Sequence, residues 1–83
     1  MNQAQRQIVE GMSSLIEGLF DEAKAIYDFC KEGDDLGTVS HLLSEAKRFI
    51  DKANGPYYNV FFPKDRLNDL EVRYKILNHK LKQ

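Results

Sequence analysis

The sequence predicts an all-α fold: a small three-helix bundle forming a single domain over residues 1–83. Three observations carry this. Apolar residues recur at helical spacing in three separate stretches. Two turn signals, Glu32-Gly33-Asp34-Asp35-Leu36-Gly37-Thr38 and Asn54-Gly55-Pro56, divide those stretches. The composition, 42% apolar and 30% charged, is that of a globular chain and not of a disordered one. A chain of this length buries only about 63% of its unfolded surface, so one small core is all it can build.

The first segment runs from about Gln3 to Lys31. At about 100° per residue, Ile8, Met12, Leu15, Leu19, Ala23, Ile26 and Cys30 form one stripe. Val9, Ile16, Phe20 and Tyr27 form a second stripe beside it. On the other flank Ala4, Gly11, Gly18 and Ala25 recur every seven residues. Glu10, Glu17, Asp21, Lys24 and Asp28 fill the remaining face. The uncharged arc is wider than the ~100° that one neighbour requires. This long helix is therefore expected at the centre of the fold, with two neighbours. Gly11 and Gly18 each cost about 1 kcal/mol of helix propensity relative to Ala. A close approach of another backbone is the expected compensation.

Gly18-Leu19-Phe20-Asp21-Glu22-Ala23 is similar to the turn and second-helix start of a tetratricopeptide repeat, with Gly11 at the place of that repeat's first-helix glycine. The resemblance covers about 25 residues and does not recur about 34 residues later. Gln7 and Glu10 stand where the repeat has an aromatic residue and a leucine. The resemblance implies a helix break at Gly18. The alternative is one continuous helix, in which close packing compensates for the glycine.

The second, shorter segment runs from about Leu36 or Val39 to Ala53. Thr38 fits the N-cap position, as do Asp34 or Asp35 for an earlier start. Leu36, Val39, Leu42, Leu43, Ala46, Phe49, Ile50 and Ala53 share one arc. Asn54-Gly55 supplies a C-cap and Pro56 prevents continuation. The third segment runs from about Lys64 to Leu81, with Pro63 suited to the first helical turn. Leu67, Leu70, Tyr74, Leu77 and Leu81 follow a 3-4-3-4 spacing that is too short for a coiled coil. Val72 and Ile76 lie on the opposite side, four apart, and predict a second contact.

Between the second and third segments lies Pro56-Tyr57-Tyr58-Asn59-Val60-Phe61-Phe62-Pro63, an aromatic connector. Aromatic side chains bury about 150–250 Å² each, so such a segment is a lid on the core, an anchor for a partner, or both. Phe61 and Phe62 are expected inward, with Tyr57 and Tyr58 at the rim. The expected partner-binding residues are Tyr57, Tyr58, Val72 and Ile76.

The formal charge of −1 conceals a gradient: −5 over residues 1–35, +1 over 36–63 and +3 over 64–83. The two ends can attract each other within one bundle, or the basic end can meet an anionic partner. No apolar run approaches a membrane span, and Met1 to Glu10 lacks the apolar region of a signal peptide. A single cysteine, Cys30, permits no intrachain disulfide and fits a reducing, cytoplasmic setting.

No catalytic constellation is visible. His41 and Glu45 share one helical face, but two ligands do not make a zinc site, and His79 is far along the chain. Cys30 has no neighbouring base and reads as a buried structural residue. Gly33 and Gly37 flank an acidic pair that would repel phosphate. No catalytic residue, metal site or cofactor is expected, and the chain is not expected to be an enzyme. The function expected is protein–protein binding, as an adaptor, an assembly subunit or an inhibitor that occludes a partner's site. Surplus apolar surface on the first helix and at Val72 and Ile76 also predicts a homodimer. The alternative is a nucleic-acid-associated protein using the basic C-terminal helix and the connector, although Asp65, Asp69 and Glu71 interrupt its basic run.

Overall fold

The structure, a computed structural model, describes residues 1–29 and 33–81. It contains α1 (Gln3–Phe29), α2 (Gly33–Ala53) and α3 (Lys64–Leu81), joined after α2 by the aromatic connector. The described residues include no strand, and the fold is the expected small all-α three-helix bundle.

A reciprocal cap starts α1. The Gln5 backbone N–H donates to Asn2 Oδ1 at 2.8 Å, and the Asn2 N–H donates to Gln5 Oε1 at 3.1 Å. This is the capping-box arrangement, with Asn and Gln in its two roles. The helix then runs unbroken through Gly11 and Gly18, so the break suggested by the repeat-like stretch is absent. Val9, Ser13, Ile16, Phe20 and Ala23 form its buried face. The core is thus centred on the second of the two stripes. Met12, Leu19 and Ile26 of the first stripe are half-buried, while Ile8 and Leu15 are exposed. The expected backbone approach at Gly11 and Gly18 does not occur among the described residues: a Cβ at either would meet nothing within 4 Å. Cys30, expected to be buried, lies outside the described residues.

α2 starts earlier than the apolar arc predicts, and Thr38 lies inside it and not at its N-cap. Asp35 falls in its first turn, where negative charge favours the helix dipole. At the far end the Asn54 and Gly55 N–H groups donate to the Ile50 and Lys52 carbonyls at 3.1 and 3.0 Å. A Cβ on Gly55 would sit 3.0 Å from the Lys52 oxygen, a tight contact that favours glycine in this turn. α3 begins after Pro63 as expected, with Asp65 in its first turn and His79 and Lys80 in its last, each favourable to the dipole.

The core has two parts. In the larger, Ile16, Phe20 and Ala23 of α1 meet Val39, Leu43, Ala46 and Ile50 of α2 and Leu70 and Leu81 of α3. In the smaller, Val9, Ala53, Phe62 and Leu67 pack together, with Met12, Tyr58 and Phe61 against them. The connector therefore closes one end of the bundle. All three helices contact one another, so α1 has its two expected neighbours but is no more central than α2. Two ion pairs tie acidic α1 to basic α3: Glu10 to Arg66 at 2.9 Å and Glu17 to Arg73 at 3.5 Å. The charge gradient is thus partly satisfied inside the molecule.

Candidate interaction surfaces

The connector owes its geometry to main-chain turns. The Asn59 N–H donates to the Gly55 carbonyl at 2.9 Å, and the Phe61 and Phe62 N–H groups both donate to the Tyr58 carbonyl at 3.2 and 2.8 Å. The Asn59 side chain donates to the Asn54 carbonyl at 3.3 Å. Asn54 in turn donates to Glu71 Oε1 at 2.7 Å, which ties the end of α2 to α3. These bonds wind the segment with nearly helical periodicity, so residues three or four apart share a side.

Tyr58, Phe61 and Phe62 fall on the inner side. Phe62 is buried in the smaller core. Tyr58 and Phe61 are half-buried and meet edge to face, with centroids 6.1 Å apart and planes at 70°. The Lys52 ammonium lies 6.0 Å from the Tyr58 ring centre, where its charge meets the electron-rich face. Tyr57 and Val60 fall on the outer side, each 84% exposed. Of the two tyrosines expected at the rim, Tyr57 is displayed and Tyr58 is largely engaged. Val60 is the exposed partner that residue type alone did not single out. The spacing of three between Tyr57 and Val60 is the signal that would have found it.

Val72 and Ile76 form a second patch on the outer face of α3, 45% and 61% exposed. Ile76 borders an open groove between α1 and α3 lined by Phe20, Asp21, Lys24, Arg73 and Leu77. The connector packs at Val9 and Met12, whereas this groove lies at Asp21 and Lys24. That separation along α1 is roughly 18 Å at 1.5 Å per residue. The four expected residues therefore belong to two patches.

The polar candidates behave as surface groups. His41 is exposed, and Glu45 pairs with Arg48 at 2.7 Å. The Lys47 amine is held above its ordinary value by its hydrogen bond to Asp51, at 3.0 Å, and by that carboxylate's charge. Among the described residues, no group of three or more His, Cys, Asp and Glu is placed to hold a metal ion. No described helix is long and apolar enough to cross a membrane. No family model matches the chain, and neither a curated protein nor a solved structure matches it.

Proposed function

We propose that this chain is a non-enzymatic protein–protein interaction module: a small adaptor, assembly subunit or inhibitor that occludes a partner's site. The supporting observation is the connector's two-sidedness. Three aromatic residues anchor it to the bundle, while Tyr57 and Val60 project from that base into solvent. An apolar side chain held on an ordered turn loses little conformational entropy when a partner covers it, which favours it as a binding anchor. Val72 and Ile76 extend the apolar surface on α3. A reducing, cytoplasmic setting is the one that suits the single cysteine.

Two cations of α3 weigh for protein over nucleic acid. Arg66 is paired with Glu10, and Arg73 lies between Glu17 and Asp69, at 3.5 and 4.0 Å. A phosphate-binding surface needs unpaired cations in a run. The test is affinity capture with the wild-type chain and with Tyr57→Ala/Val60→Ala, with and without nuclease. A nuclease-resistant protein partner that binds the double variant about thirtyfold more weakly supports the reading, since that corresponds to loss of one anchor of about 2 kcal/mol. Capture that disappears with nuclease, or that ignores the double variant, overturns it.

A further inference from the structure

The outer face of α1, turned away from α2 and α3, has a pattern that its own chain does not use. Ala4, Gly11, Gly18 and Ala25 recur every seven residues. Ile8, Leu15, Glu22 and Phe29 do the same, four residues after each small residue. Together they step 4-3-4-3-4-3-4 along the whole helix, which is the spacing of a helix–helix seam. All eight are exposed, and the two glycines have open space where a Cβ would stand.

We propose that this face pairs with the same face of a second copy of the chain, antiparallel, about a two-fold axis between Leu15 and Gly18. In that register Leu15 meets Gly18 of the second copy, Ile8 meets its Ala25, and Phe29 meets its Ala4. Every one of these layers combines a bulky residue with a small one. Glu22 meets the partner's Gly11, whose open side lets the carboxylate reach out to water. A parallel pairing instead stacks glycine on glycine and leucine on leucine, and sets Glu22 against its own copy. The flanks agree with the antiparallel choice. Asp21 comes beside the partner's Ser14 and Asp28 beside its Gln7, so each acid meets a hydrogen-bonding group and not another acid. Antiparallel helices also align their dipoles favourably.

The area suffices for association. A strip about 40 Å long and about 15 Å wide covers on the order of 600 Å² per copy. The total of about 1,200 Å² is at the lower bound of stable interfaces. This pairing goes beyond the connector reading and is independent of it, because Tyr57 and Val60 lie outside the seam.

Analytical ultracentrifugation at tens of micromolar tests it. The expected species has twice the 9.6 kDa chain mass. Gly18→Leu places leucine on leucine across the axis and should weaken dimerisation at least tenfold. The same variant should keep its helical circular dichroism, since none of the described residues occupies that space. Register is read with a short bismaleimide in a Cys30→Ser background. Ile8→Cys chains should cross-link to Ala25→Cys chains in a mixture, and neither should cross-link to itself. A wild-type chain that remains at 9.6 kDa, a Gly18→Leu variant that still dimerises with wild-type affinity, or cross-linking of Ile8→Cys to itself overturns the proposal.

Discussion

Ser13 sits in the buried face of α1, and its hydroxyl has no hydrogen-bond partner among the described residues. An unsatisfied buried hydroxyl costs about 1–3 kcal/mol, and alanine is also the better helix former. Ser13→Ala should therefore stabilise the fold by about 1 kcal/mol, a rise in Tm of roughly 4–8 °C for a domain of this size. At Gly55 the sign reverses. A methyl group there presses on the Lys52 carbonyl, so Gly55→Ala should lower Tm, with a cost of about 1 kcal/mol. The connector separates the same way by residue. Phe62→Ala should cost roughly 3–5 kcal/mol in denaturant titration, and Tyr57→Ala should leave the midpoint nearly unchanged. Tyr58→Ala should fall between them, because one side of that ring lies on the smaller core.

At the scale of elements, Arg73 adds a polar contact between α1 and α3 to the apolar core that they share. Its guanidinium lies 5.6 Å from the Phe20 ring centre, besides its pairing with Glu17. The aliphatic stem of an arginine adds apolar cover that a bare charge would not. Arg73→Ala should cost about 1 kcal/mol, and Arg73→Met should recover part of that by restoring the stem. In α1, Gly11→Ala and Gly18→Ala should each raise helix stability by up to about 1 kcal/mol in melts of dilute protein. A fall in Tm would mean that something fills the space outside those glycines even in dilute solution.

The molecule as a whole is a short rod, 44 × 18 × 16 Å, with a radius of gyration of 13.7 Å. A compact domain of this length has a radius of about 12 Å. The excess comes from the length of α1, and it leaves surface that three helices cannot cover. The accessible area of 5569 Å² exceeds the roughly 5,100 Å² expected for the mass. The ion pairs between α1 and α3 are solvent-exposed and contribute little each. Raising salt from about 0.1 to about 1 M should accordingly shift Tm by only a few degrees at most.

The sequence by itself determined the number of helices, the ends of α3, the C-cap of α2 and the place of the aromatic connector. Each of these is written locally, in spacing, in Asn54-Gly55-Pro56 and in Pro63. It also marked a wide uncharged arc on α1 and read it as two neighbours, but α2, with an ordinary arc, has two neighbours as well. Tertiary structure decided which part of that arc is covered. Helical periodicity fixes angles between residues, but not where along a broad apolar arc the two neighbours settle. Val9, Ile16 and Phe20 went inward and Ile8 and Leu15 outward because α2 and α3 together cover less than the full arc. The same coverage left Gly11 and Gly18 open, against the expectation from their cost. In the connector, residue type marked the two tyrosines alike, and only the turns bonded to Gly55 and Tyr58 separated the displayed Tyr57 from the engaged Tyr58. Local chemistry sets how a segment coils, whereas burial depends on what finally packs beside it.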